Sequence, residues 1–254
     1  MLTRTAAVAH GTFRETVRDR LFYLVGFFGL ALVGATTVLS PLTVGAQGKI
    51  VADVGLAAMA LLGLLVVLLV GANMVRKEMD RRTITTILTK PVGRGEYLVG
   101  KYLGLALTLA CMVALMGAIY VVAVALTPAS LAWSHLGAVY LVLLELLVLT
   151  AAAVLFSTLA GPALAAVFSA LLFAIGHLSE ALLDFGAMNG GWQQAIMAVL
   201  FRLLPDLEVF NVRAAVVHGD PVSPAHLGLA TLYALGWIVV FLVLARWVFA
   251  RKEL

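Results

Sequence analysis

Long stretches without polar interruption organise the chain. Six runs, at 21–39, 54–75, 102–126, 136–156, 163–183 and 227–249, are apolar nearly throughout. A helix rising about 1.5 Å per residue needs roughly 20 residues to cross about 30 Å of hydrocarbon, and the runs have that length. None shows the two-residue alternation of a barrel strand. In hydrocarbon a spanning segment must satisfy its own backbone hydrogen bonds, so all six are expected to be helices. Three further helices are predicted by amphipathic patterning between the runs. In residues 1–20, Phe13 and Val17 lead into Leu21 at i, i+4, i+8, with Arg14, Glu15, Arg18 and Asp19 on the other side. In 76–101, Ile84, Ile87 and Leu88 form an apolar face behind a charged beginning. Pro91 and Gly93 break that helix, and a second begins near Gly95 and runs into the third span. In the segment 184–226, Trp192, Ile196, Val199, Leu200 and Leu203 share one helical face that stops at Pro205. The expected fold is therefore an all-α membrane protein of six spans.

The prolines support this division. Pro41, Pro91, Pro128, Pro162, Pro205, Pro221 and Pro224 all lie between the runs, and Pro162 sits where a first-turn proline would start the fifth helix. Tyr23, Tyr102, Trp133, Tyr140 and Trp247 lie near span ends, as an interfacial aromatic belt requires. Composition excludes the soluble alternative: 63% of the 254 residues are hydrophobic and 12% charged, with a mean hydropathy of +1.08, and no water-soluble core could hide that excess. Cys111 is the single cysteine, so no intrachain disulfide or cysteine-built metal site can form.

The net charge of +4 would suit nucleic acid, but its distribution explains it otherwise. Of the 17 Lys and Arg residues, all but Lys49, Arg202 and Arg213 fall on one side of the six-span arrangement. The positive-inside rule puts that side, with both termini and the loop 76–101, in the cytoplasm. Val44-Gly45-Ala46 weakly resembles a signal-peptide cleavage site, but the preceding run exceeds a signal core of about 7 to 15 residues. The first run is expected to remain as a span.

Few residues inside the spans carry chemistry. Glu145 sits near the middle of the fourth, where a carboxyl costs about 2.5 to 3.5 kcal/mol on insertion scales, so it should face the bundle interior. There it serves either a transport pathway or an interhelical hydrogen bond. His177, Glu180 and Asp184 follow at i, i+3, i+7, one stripe at the outer end of the fifth span, suited to an external vestibule. Three such residues without a second cluster make a weak metal site. Gly95 to Lys101 matches G-x-x-x-x-G-K, but Tyr102 stands where a phosphate-binding loop needs Ser or Thr for magnesium, and no strand precedes it. Any ATP is expected to bind elsewhere. Gly100 and Gly104 form a small-xxx-small pair that permits close helix approach.

The loop residues Glu78, Arg82-Thr83-Ile84, Ile87-Leu88, Lys90-Pro91-Val92, Arg94 and Gly100-Lys101 resemble the loop between the second and third spans in permeases of the type-2 (exporter) family of ATP-binding-cassette transporters. In that family a glutamate, a threonine five residues later, an apolar pair, a Pro-Val step, an arginine and a Gly-Lys recur. Arg82 replaces the glycine that many members have before the threonine, which marks a subgroup. The resemblance covers essentially the whole chain. It implies an elbow helix at 1–20 and a six-span permease domain at 21–254, with an external re-entrant or interfacial helix before the last span. It also implies a cytoplasmic coupling helix in which Glu78, Arg82, Thr83, Ile84, Ile87, Leu88, Pro91, Arg94 and Lys101 meet an ATPase. Glu145, His177 and Glu180 are the translocation-pathway candidates.

The implied partners are an ATP-binding-cassette ATPase subunit carrying ATP and Mg, a second permease copy or homologue forming a dimer, and membrane lipids. No cofactor, metal or nucleic acid is expected on this chain, and it is not expected to be an enzyme. The implied location is a bacterial or archaeal cytoplasmic (inner) membrane. A multi-span membrane enzyme would need a nucleophile, metal cluster or carboxylate pair, and none stands out. A non-transporting anchor for a soluble partner would show no cargo-stimulated ATP hydrolysis.

The cation distribution makes a direct prediction in a Cys111→Ala background. An impermeant thiol reagent added to intact cells should label a cysteine at Gln194 and leave one at Lys90 unlabelled until the membrane is opened. The reverse pattern would invert the topology.

Overall fold

The computed structural model describes residues 2–18, 23–39, 47–71, 93–127, 132–179, 181, 184–185, 188 and 191–251. Among these, the regular elements are helices and no strand occurs: α1 (Leu2–Arg18), α2 (Tyr23–Leu39), α3 (Gln47–Val66), α4 (Arg94–Ala125), α5 (Trp133–Leu159), α6 (Pro162–His177), α7 (Gly191–Leu203), α8 (Arg213–His218) and α9 (Pro224–Ala250). A π-helical turn, Val67–Gly71, extends α3, and a 3₁₀ turn, Glu208–Phe210, precedes α8. The chain is an all-α membrane protein. Residues 72–92, which carry Glu78, Arg82, Thr83, Ile84, Ile87, Leu88 and Pro91, lie outside the described residues, as does Glu180.

Among the described residues, four helices are long and apolar enough to cross a membrane: Gln47–Gly71, Gly95–Ala125, Trp133–Leu159 and Pro224–Ala250. The first and fifth expected spans are shorter, with 17 residues in α2 and 16 in α6. Boundaries shift for identifiable reasons. α3 starts at Gln47 instead of 54, because Lys49 and Asp53 are tolerated in the polar first turns of a helix end. α4 starts at Arg94, with Glu96 Oε2 accepting from the Gly93 backbone N–H at 3.0 Å and satisfying an otherwise orphan donor. Gly95 to Lys101 are thus the opening turns of a helix and not a phosphate-cradling loop. Pro162 occupies the first turn of α6 as expected, and Pro224 does the same for α9, where the Ser223 hydroxyl accepts from the Ala225 N–H at 3.2 Å.

The most buried of the four long helices is α5, and the least buried is α9. α9 runs along α5, tied to it by a hydrogen bond of 2.8 Å between the Tyr140 and Thr231 hydroxyls. Its other face exposes Leu229, Leu232, Leu235, Val239, Val243 and Trp247, the surface a helix offers to lipid. On α3 a buried stripe of Gly55, Met59, Gly63, Val67 and Gly71 recurs every fourth residue and packs on α4 and α5. Any Cβ at Gly63 would run into the Leu146 side chain of α5, so the small residue is what lets the two backbones approach.

α1 lies against α4. The face packed on α4 is distinct from the Phe13–Val17 stripe expected at the membrane interface: Thr12 and Thr16 are buried, while Val17 is 37% exposed. The reason lies on α4. Gly100 and Gly104 leave a notch there, and a Cβ at Gly104 would stand 2.7 Å from the Ala9 carbonyl oxygen. A notch that narrow seats small side chains, and the Thr16 hydroxyl donates to the Thr12 carbonyl of its own helix at 2.8 Å. Lys101 is buried in the same seam. Its Nζ stands 4.0 Å from Glu15 Oε2 of α1 and 5.9 Å from the centre of the Tyr97 ring.

Filling the notch should therefore loosen α1. Gly104→Leu is expected to cost about 1 to 3 kcal/mol by overpacking, read as a lowered midpoint of thermal unfolding of the purified chain. Gly11→Ala, on α1 with nothing within 4 Å of an added Cβ, should leave the midpoint unchanged or slightly raised. Equal midpoints for the Gly104→Leu chain and the unaltered chain would show that the seam does not hold α1.

Candidate functional site

Glu145 is the thirteenth residue of α5 and is 3% exposed. It faces the bundle interior, as its cost in hydrocarbon requires. His177, the last residue of α6, turns toward it, and His177 Nε2 stands 3.6 Å from Glu145 Oε1. Two pathway candidates from different spans are thereby brought together. Of the expected stripe with Glu180 and Asp184, α6 ends at His177, Asp184 is exposed, and Glu180 lies outside the described residues.

The stop has a physical cause. The segment after Pro205 folds back onto the end of α6, and the Leu207 N–H donates to the Gly176 carbonyl at 3.0 Å. That oxygen would otherwise be one of the orphan acceptors at a helix C-terminus. A side chain at 176 would meet Leu207 and the Pro205 carbonyl oxygen, so glycine is what admits the returning segment. Asp206 pins it further. Its Oδ1 accepts from the Ser179 hydroxyl at 2.6 Å and from the Glu208 N–H at 3.1 Å, while the Tyr233 hydroxyl of α9 accepts from the Asp206 N–H at 2.7 Å. Leu207 and Phe210 are buried beneath.

The returning segment forms one wall of a half-open cavity of about 320 Å³. Its walls are Leu56, Ala57, Ala60 and Leu61 of α3, Ala138, Val142 and Glu145 of α5, Phe173 and His177 of α6, and residues 210–213. Polar groups are few and converge. Asn211 Oδ1 accepts from Arg213 Nε at 3.1 Å, and Asn211 Nδ2 donates to Glu208 Oε1 at 2.8 Å. His177 Nδ1 lies 3.1 Å from the Phe173 carbonyl oxygen, which only accepts, so Nδ1 carries the proton. In the neutral ring, Nε2 then presents a lone pair to Glu145. Glu145 Oε1 is buried without a hydrogen-bond partner.

Neither Glu208, Asn211 nor Arg213 was singled out by the sequence reading. The available signal was the pattern after Pro205: apolar Leu207 and Phe210 three apart, with charged and amide residues between and after them. Such spacing fits one buried turn. A second interior polar pair links Tyr120 of α4 to His135 of α5, hydroxyl to Nδ1 at 2.7 Å. Of the coupling candidates, Arg94 heads α4, and Lys101 lies in the α1 seam, turned to Glu15. Among the described residues, no group of three His, Cys, Asp or Glu side chains is placed to hold a metal ion.

Residues 6–254 match the family described as ABC-2 family transporter protein. No curated protein matches the chain.

The buried position of Glu145 predicts a charge-specific tolerance. Glu145→Gln should insert and purify as the unaltered chain does, because an amide fits the same space. Glu145→Lys buries an ammonium beside Arg213 and His177, and at about 2.5 to 3.5 kcal/mol for a mid-span lysine it should lower the yield of monodisperse protein severalfold on gel filtration. An unchanged yield for the lysine variant would refute the interior placement.

Proposed function

The chain belongs to the ABC-2 transporter family, and on that premise we propose that it is a permease subunit that takes work from a separate ATP-binding-cassette ATPase to export a cargo. The observation that carries the proposal is the family match over residues 6–254 of an all-helical apolar chain. In this reading the ATPase binds ATP and Mg, this chain binds neither, and a second permease copy or homologue completes the pathway. The membrane is the cytoplasmic (inner) membrane of a bacterium or archaeon, with both termini and the loop 76–101 facing the cytoplasm.

Coupling requires a rigid element that moves with the ATPase and shifts a helix bundle between two arrangements. The loop 76–101 is the candidate for the first part, with Ile84, Ile87 and Leu88 as the apolar anchor of a helix in a groove. Glu78, Arg82, Thr83, Pro91 and Arg94 orient it. The last part of that loop, from Arg94, forms the first turns of α4, and these are braced on two sides. Tyr97 stacks on Phe249 of α9 with ring centres 6.1 Å apart, and Lys101 with Glu15 joins α4 to α1. A push on the loop therefore passes into α1, α4 and α9 together. Lys101 acts in this scheme by fastening the elbow helix. The cavity bounded by Glu145 and His177 is the proposed outer part of the pathway, with the segment after Pro205 as one wall.

Replacing Ile87 and Leu88 together by Asp should abolish copurification of the ATPase, or uncouple its hydrolysis from cargo, with membrane insertion unchanged. A loop that merely rests on headgroups would keep a partner bound elsewhere. Undiminished ATPase association and coupled transport in the double variant would refute the coupling role.

A further inference from the structure

Glu145 and His177 present an arrangement that is incomplete as it stands. The His177 Nδ1–H is committed to the Phe173 carbonyl at 3.1 Å. Its Nε2 and Glu145 Oε1, 3.6 Å apart, are then both acceptors unless one proton lies on one of them. Among the described residues the carboxylate oxygen has no other partner, and Glu145 is one of the residues lining the cavity. A group that donates to both acceptors at once would satisfy them.

Charge selects the donor. Among the described residues, the cavity lining carries the Glu145 carboxyl and the Arg213 guanidinium, and Glu208 is joined to Arg213 through Asn211. Asn211 bridges Glu208 to Arg213, so both are held at the rim. A third carboxylate, Asp206, is held by the Ser179 hydroxyl and the Glu208 N–H, which are neutral donors and leave its charge in place. The wall from α3 is apolar, with Lys49 and Asp53 on that helix outside the cavity lining. A further positive charge reduces the excess of carboxylates over Arg213. A shared proton provides it when the site is otherwise empty, and a monocation provides it equally well. An anion would leave the buried charge uncompensated, which is costly in a medium of low dielectric.

We propose that this cavity binds a primary ammonium group carried on a small apolar body, the ammonium replacing the proton shared by Glu145 and His177. The ammonium donates to Glu145 Oε1 and His177 Nε2, and the displaced proton leaves to solvent, so one positive charge enters and one departs. The apolar body packs on Leu56, Ala60, Val142, Phe173 and Phe210. At about 320 Å³ the cavity is at the lower limit of ligand pockets, roughly 300 to 1,000 Å³, so the body is small. The inference rests on the cavity's being part of the pathway, and it names the cargo class that the outer site accepts.

The test is titration calorimetry on the full chain in phosphatidylcholine nanodiscs, with empty nanodiscs subtracted. The ligands are 2-phenylethylamine, its neutral counterpart 2-phenylethanol and the anion 3-phenylpropionate. Saturable binding is expected for the amine alone. Heats in buffers of different ionisation enthalpy should give one proton released per amine where the pair is protonated, and affinity there should fall about tenfold per unit of lowered pH, 1.4 kcal/mol per factor of ten. Glu145→Gln should weaken the amine at least tenfold. If that variant does not purify as a single species, Ala60→Leu, which fills the cavity and keeps the carboxyl, should block the amine instead. Equal binding of alcohol and amine, binding without proton release, undiminished binding in the tested variant, or no saturable binding would each overturn the proposal. None of these measurements involves the ATPase, so their failure leaves the coupling reading to be judged on copurification.

Discussion

A backbone N–H or C=O in hydrocarbon has no water to turn to, and the rest of this structure follows from that constraint. It makes each apolar run a helix. It also removes the ordinary reason for helices to associate, because lipid tails are as apolar as leucine. Association then depends on how closely backbones approach. The recurring answer here is a small residue at the point of contact: Gly63 beneath Leu146, Gly104 beneath Thr12, and Gly176 beneath Leu207. These contacts place α3 on α5, α1 on α4, and the returning segment on the end of α6. They differ in chemistry but share one geometry, a notch on one helix and a side chain on another element.

Much of this was legible in the chain. Runs of about 20 apolar residues bounded by prolines identify spans almost without other information, and Pro162 marked the start of α6 to the residue. Burial of Glu145 was equally legible, since an ionisable group in mid-span has one tolerable orientation. What failed to show was anything decided by contact between distant segments. Apolar periodicity marked Phe13 and Val17 as the membrane-interface face of α1, and nothing in it marked Thr12 and Thr16 as the residues buried on α4. Periodicity ranks faces by hydropathy, whereas a glycine notch on another helix selects by size. The outer end of α6 was missed for a similar reason. Nothing within 163–183 announces a stop at 177, because the stop depends on Leu207, thirty residues away, donating to Gly176.

The returning segment also resolves a tension in the sequence. Charged and amide residues such as Glu208, Asn211 and Arg213 look, in isolation, like part of a solvated external loop. Among their apolar neighbours Leu207 and Phe210 they would instead be expensive to bury singly. The structure reconciles the two by pairing them locally through Asn211 and pinning the backbone through Asp206, so that the apolar residues can be buried without orphaning the polar ones. A compact polar segment of this kind is held where it lies by a few hydrogen bonds.

Placing Glu145 beside such a segment has an energetic consequence for transport. A buried carboxyl with an unsatisfied oxygen is a cost to the closed arrangement, and any partner that satisfies it lowers the free energy of that arrangement selectively. When the segment moves away and water reaches Oε1, the same partner contributes little, because water serves as well. The cavity would thus hold its occupant while closed and release it when open, with no change in the residues that line it. In the proposed permease reading, directional transport needs this difference in affinity between two states, and a separate ATPase would supply the work that alternates them.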